Sequence, residues 1–229
     1  MAASHYPAVP AVNPTLWHTG PQTSTARLDF AASSYRNPGR AGYDGLMHMQ
    51  KDIERILIPR ERIAQRVNEL AVDISRCYAG DAEAGLTVVT ILSGALIFVA
   101  DLMRCLPLRM HIGLITVSSY QGTQPSSATV LRQLNVDVEG RHVLLVDDIL
   151  DTGGTLRRVR QEVAVGEPKS IRTCVLLRKP SKAPTDVPAD FVGFDIDDVF
   201  VVGYGLDYNN YYRNLPDIAV LRDELYSND

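Results

Sequence analysis

From residue 53 onward the chain follows one rhythm, in which short apolar runs alternate with stretches whose apolar positions recur every three or four residues. An apolar run ends at Ile58 and Pro59, and Ile63, Val67, Leu70, Ala71 and Ile74 then recur at helical spacing, which predicts a helix over about 60–78. Residues 86–92 read as a buried strand, Ser93 and Gly94 as a turn, and residues 95–104 as a helix. Residues 109–118 read as another strand, and residues 121–129, with their Gly, Pro, Ser and Thr, as a mobile loop. A strand over 142–147, a polar loop over 148–154, a helix over 155–165 and a strand over 171–177 complete the series.

Strands alternating with helices predict an α/β fold: a mainly parallel twisted sheet flanked by helices, with ligands held beyond the carboxyl ends of the strands. Past Lys179 the rhythm changes to Pro-punctuated segments and short strands, including 200–202, which predicts a small lobe over the sheet edge. Residues 1–45 are rich in Pro, Ser, Thr, Ala and Gly and have little periodicity, so a flexible tail is expected there. The expected organisation is that tail and a single domain over 46–229, with a core at about 55–178 and a C-terminal hood at about 179–229.

Composition narrows the chemistry. With 229 residues, 45% of them hydrophobic, the chain can bury a core of one domain. A net charge of -4 with dispersed basic residues argues against a nucleic-acid partner but leaves room for a local phosphate site. Cys77, Cys105 and Cys174 stand far apart with no pair at metal-ligand spacing, so neither a disulfide framework nor a zinc site is expected, and a reducing cytoplasm is the simpler setting. No apolar run reaches the length of a membrane span, and Pro7, Pro10 and Pro14 break any secretory signal. The five histidines, His5, His18, His48, His111 and His142, form no catalytic arrangement.

The stretch Val143-Leu144-Leu145-Val146-Asp147-Asp148-Ile149-Leu150-Asp151-Thr152-Gly153-Gly154-Thr155 runs from strand through loop to helix. Unpaired backbone N–H groups at a helix start carry partial positive charge, and two glycines let a phosphate approach them, so 151–155 is a candidate phosphate cradle. Alone, that string also suits an ordinary turn with an acidic N-cap. Asp147 and Asp148 tip the balance, because adjacent carboxylates at the end of an apolar strand repel unless a polyol or a cation satisfies them. No lysine follows the glycines, which argues against a Walker-type ATPase.

This segment resembles the phosphoribosyl-pyrophosphate motif of type I phosphoribosyltransferases, and the resemblance to the hypoxanthine-guanine branch extends from about 53 to 221. It implies the type I phosphoribosyltransferase fold, with Asp147 and Asp148 on the ribose hydroxyls and Asp151, Thr152, Gly153, Gly154 and Thr155 around the 5′-phosphate. By the same resemblance Asp151 handles the proton at purine N7, Lys179 hydrogen-bonds the exocyclic oxygen of a 6-oxopurine, Phe200 stacks on the base and Val201 meets its edge. An ammonium only donates, so Lys179 would welcome a carbonyl and reject the amino group of adenine. Asp207, beside the purine, would coordinate Mg²⁺ with Asp147 and Asp148, Arg213 would contact pyrophosphate with Ser93 and Gly94, and Ser119 and Tyr120 would begin the mobile catalytic loop. The loop at Ser93 can contain a non-proline cis peptide in relatives. The implied activity is transfer of the phosphoribosyl group from phosphoribosyl pyrophosphate to N9 of hypoxanthine or guanine by a homodimer or homotetramer. Neighbouring readings stay open: a nucleotide-sensing regulator or pseudoenzyme on the same fold, and a xanthine-preferring transferase.

Three positions depart from the family pattern. Ser93 stands where many relatives carry lysine, Gly113 where many carry aspartate, and Gly154 where a larger residue is common. They bear on pyrophosphate binding and subunit coupling, and leave the sugar and base residues intact.

Overall fold

The unbroken apolar run at 143–146 is stable as a strand only where both of its faces are covered. A computed structural model, which describes residues 49, 51–81, 83–118, 129–130 and 136–226, places it at the centre of the main sheet. Along the chain the elements are β1 (Ile53–Ile58), α1 (Arg60–Tyr78), β2 (Leu86–Leu92), α2 (Leu96–Cys105), β3 (Met110–Ser118), β4 (Thr129–Val130), β5 (His142–Leu150), α3 (Gly154–Ala164), β6 (Ser170–Arg178), β7 (Phe191–Asp195), β8 (Val201–Val202), β9 (Ile218–Leu221) and a 3-10 turn (Asp223–Leu225).

The six-stranded sheet has the order β4-β3-β2-β5-β6-β7, parallel throughout except for the short edge strand β4. Alternation along β5 assigns its two faces. Val143 and Leu145 pack with Val89, Ile91 and Val175 beneath Leu156, Val159 and Val163 of α3. Leu144 and Val146 pack with Val88, Cys174 and Leu176 against Ile63, Val67, Leu70 and Ile74 of α1 and Phe98 and Leu102 of α2. Each such side chain, fully buried, contributes about 1.5–3 kcal/mol. From β2 the chain moves outward to β3 and later returns on the other side as β5, so the order reverses there. A crevice opens beyond the carboxyl ends of strands at such a switch point.

The structure corrects the sequence reading in three places. Residues 148–150 are not loop: β5 continues through both acids because β6 runs alongside to Arg178, pairing Asp147 with Val175, Ile149 with Leu177 and Leu150 with Arg178. β7, expected in the hood, is a parallel strand of the main sheet beside β6, with Cys174 opposite Phe191. Its crossover carries Pro180, Pro184 and Pro188, which forbid the usual connecting helix and disguise the strand as lobe. The hood, in turn, is not purely C-terminal. β9 lies between β8 and β1 in an antiparallel three-stranded sheet, so residues 53–58 complete it. Two- and four-residue strands make no stable sheet unaided. Residues 1–45 and 121–128 lie outside the described residues; Thr129 is paired with Ser118. Among the described residues no helix is long and apolar enough to cross a membrane.

Candidate active site

β5 is a strand through its acidic end, and the carboxyl groups of Asp147 and Asp148 there lie close enough to interact with each other. Asp147 Oδ1 accepts the backbone N–H of Asp148 at 3.0 Å, and Asp148 Oδ1 that of Ile149 at 2.9 Å. Burial raises the carboxyls of both above the usual range, and the neighbouring charge of Asp148 pushes Asp147 further in the same direction. Both line a cavity of about 430 Å³, together with Ser93, Gly94, Thr152, Gly153, Gly154, Thr155, Asp151, Asp207 and Arg213. The residues expected to hold a phosphorylated sugar and pyrophosphate therefore converge.

The strand-to-helix turn is set by Gly153, the N-cap of α3, with φ of 72°; a Cβ there would also meet Pro184 Cγ at 2.8 Å. No side chain caps this helix, and its first turn faces the cavity. Free N–H groups so placed suit a phosphate. Gly154 has open space around its missing Cβ, so the departure noted above removes bulk without altering packing.

Opposite stands the loop after β2, where the Leu92–Ser93 peptide is cis, as the resemblance implied. Gly94 lies so close to Asp148 that a Cβ would come within 1.7 Å of its Oδ2. Gly205, with φ of 104°, brings the hood against this loop, where a Cβ would meet Gly94 O at 2.2 Å. Arg213 is anchored by Gly205 O at 2.8 Å and pairs with Asp207 at 2.7 Å. Ser119 and Tyr120 lie outside the described residues. Gly113 sits in β3 opposite Val89 and is not part of this cavity.

A second cavity, of about 530 Å³, shares Asp148, Ile149, Asp151 and Asp207 with the first and adds Lys179, Lys182, Asp198, Val199, Phe200, Val201, Leu206 and Tyr226. The Lys179 N–H bonds Leu150 O at 3.0 Å, which sets this lysine beside Asp151. Its buried ammonium lies 3.3 Å from Asp151 Oδ2 and 3.0 Å from Asp198 Oδ1. Asp151 Oδ1 is buried without a hydrogen-bond partner among the described residues. Such an acceptor suits a ligand N–H, since an unmet buried acceptor costs about 1–3 kcal/mol. Phe200 is stacked on Tyr226, with ring centroids 4.9 Å apart, and meets the edge of Tyr208 at 5.5 Å. Val201 is buried opposite Val220 in the hood sheet.

The sequence reading missed Asp198, Lys182 and Tyr226. Charged residues in a Pro-rich stretch look solvated, and a tyrosine near the terminus carries no motif; only the topology brings them to the cavity. Among the described residues no three His, Cys, Asp or Glu side chains converge on a possible ion. Asp207 is engaged by Arg213 and by the Asn210 N–H at 2.8 Å. His142 stands at the opposite end of β5, with Nδ1 2.7 Å from Ser170 Oγ.

The fold and these joined cavities define an α/β protein with a crevice for a phosphorylated ligand at its topological switch point. Residues 56–209 match the phosphoribosyl transferase domain model, and the chain belongs to that family. It is 43% identical over 171 residues to the hypoxanthine-guanine phosphoribosyltransferase of Aquifex aeolicus (74% of this chain, 95% of that one). The hypoxanthine-guanine-xanthine phosphoribosyltransferase of Tritrichomonas foetus is 35% identical over 181 residues, covering 78% of this chain and 97% of the relative. Among solved structures, a hypoxanthine phosphoribosyltransferase from Staphylococcus aureus superposes with a TM-score of 0.73 at 35% identity, covering 78% of this chain and 97% of that one.

Proposed function

We propose that the protein is a purine salvage enzyme that transfers the 5-phosphoribosyl group from phosphoribosyl pyrophosphate to N9 of hypoxanthine or guanine, releasing IMP or GMP and pyrophosphate. The observation that carries this reading is the junction of the two cavities at Asp148, Ile149, Asp151 and Asp207. A sugar phosphate filling the first cavity would there meet a flat base filling the second.

In this reading the α3 N-terminus binds the 5′-phosphate, Asp147 and Asp148 accept from the ribose hydroxyls, and Arg213 with the Ser93–Gly94 backbone takes the pyrophosphate. Phe200, held by Tyr226 and Tyr208, offers a fixed aromatic surface to the base, and Lys179 donates to its 6-oxo group. The bond from ribose C1 to the pyrophosphate oxygen breaks with oxocarbenium character as N9 supplies its electron pair. The N7 proton passes to Asp151, whose Oδ1 is the open acceptor.

The donor set suits Mg²⁺. The first cavity presents four carboxylates and one guanidinium, so a polyphosphate brought into it needs an accompanying cation. Asp207, Asp147 and Asp148 offer hard oxygen donors of the kind Mg²⁺ takes beside phosphate oxygens and water. When bound, it would neutralise charge on the departing pyrophosphate. A cytoplasmic setting suits three unpaired cysteines, and a homodimer or homotetramer is the assembly expected by family likeness.

The test is pyrophosphate release from phosphoribosyl pyrophosphate and Mg²⁺ in separate reactions with hypoxanthine, guanine, xanthine and adenine. Turnover with the first two and none with adenine is expected. Xanthine alone would shift the specificity toward that named for the Tritrichomonas relative; silence with all four would favour a nucleotide sensor on the same fold.

A further inference from the structure

Asp198 is the one carboxylate lining the base cavity that the reaction above leaves without a task. Its two oxygens are both engaged: Oδ1 accepts from Lys179 Nζ at 3.0 Å, and Oδ2 pairs with Lys182 Nζ at 2.8 Å. Both lysines spring from one turn, since the Lys182 N–H bonds Lys179 O at 3.0 Å. The two ammonium groups hold the Asp198 carboxyl below the usual carboxylate range, so it is ionised at neutral pH. The buried Lys179 amine thus stands between two anions, and its directed hydrogen bond goes to Asp198, while Asp151 Oδ2 is the more distant, at 3.3 Å.

We infer that Asp198 is a positioning residue of the base site: it takes the directed hydrogen bond of the Lys179 ammonium and keeps it from closing fully on Asp151, leaving one N–H for the exocyclic oxygen of the base and Asp151 Oδ1 open to the ring N–H. This rests on the proposed activity. An ammonium has three donors and no acceptor, and a buried one takes the nearest available anion. Without Asp198 that anion is Asp151, and a closed Lys179–Asp151 pair would withdraw the base's donor and its proton acceptor together. Lys182 acts one step further out by holding Asp198 in place.

The effect belongs to the base and not to the sugar phosphate, which gives a clean test. Steady-state kinetics of the wild type, Asp198→Asn and Asp198→Glu would be measured with the base varied at saturating phosphoribosyl pyrophosphate, and then the reverse. Asp198→Asn should raise KM for the base at least tenfold with KM for phosphoribosyl pyrophosphate within twofold, and Asp198→Glu should recover most of the loss. An unchanged base KM, or an equal rise in both, overturns the inference. Wild-type turnover in the same runs tests the proposed function separately. Should the wild type turn over no base, the position of Lys179 Nζ in a crystal structure of Asp198→Asn decides the point: an amine closed on Asp151 upholds the inference, and one that has not moved overturns it.

Discussion

Asp147 and Asp148 put two carboxylates on consecutive residues of a buried strand, and the balance of desolvation against ligand contact is most open to measurement there. Burial first, then the charge of Asp148, raises the Asp147 carboxyl above its usual range. A carboxyl raised in the native state binds more protons folded than unfolded at intermediate pH. The free protein therefore loses stability as pH rises from the ordinary carboxylate value, about 4, through the raised native value. Asp147→Asn should reduce that loss to the contribution of Asp148, which burial also raises, while keeping an oxygen for the Asp148 N–H. In urea unfolding the variant should exceed the wild type at pH 8 by on the order of 1 kcal/mol, and the gap should shrink toward pH 4. The same gap at both pH values would show that repulsion and desolvation are not its source. Residues of this kind were legible because the motif names them: Asp147, Asp148, Asp151 and Lys179 all line the joined cavities. Asp198 and Lys182 were not, because a charge in a loop carries no mark of the partner that folding brings to it.

At the scale of elements, the site is assembled by backbone contacts between loops far apart in sequence. The hood loop at Gly205 rests on the loop after β2 at Gly94, and that loop rests on Asp148. Gly205→Ala would force a Cβ to within 2.2 Å of a carbonyl oxygen at a residue with φ of 104°. It should lower the unfolding free energy by about 2 kcal/mol or more and raise KM for phosphoribosyl pyrophosphate. Gly154→Ala, with nothing within 4 Å, is the control and should not destabilise. Equal urea midpoints for the two variants would remove the loop contact from this account. Periodicity located α1, β2 and α3 well because each carries an unambiguous apolar face. It missed the end of β5 and the membership of β7, since both depend on hydrogen bonds from β6.

The hood sheet joins strands from the two ends of the described domain. β9 is the middle strand of the hood sheet, between β1 and β8, and Asp217 just before it accepts from the Arg60 backbone N–H at 2.8 Å and from its guanidinium at 3.1 and 3.0 Å. A chain ending at Pro216 should therefore lose cooperative unfolding, whereas one ending at Tyr226 should keep the melting temperature of the full chain; calorimetry on both distinguishes a structural closure from a dispensable tail. By itself, the sequence determined the alternation of strands and helices, the buried character of β5, the glycine turn before α3 and the identity of most groups facing the two cavities. These follow from local periodicity and from residue chemistry at fixed spacing. The tertiary structure alone decided which strand the hood takes from the N-terminal side, that β7 joins the main sheet, that Arg213 pairs with Asp207, and that Asp198 shares Lys179 with Asp151. Each of those depends on distance between residues remote in the chain, and distance of that kind is set by packing the whole sheet and its covering helices, not by any local run of residues.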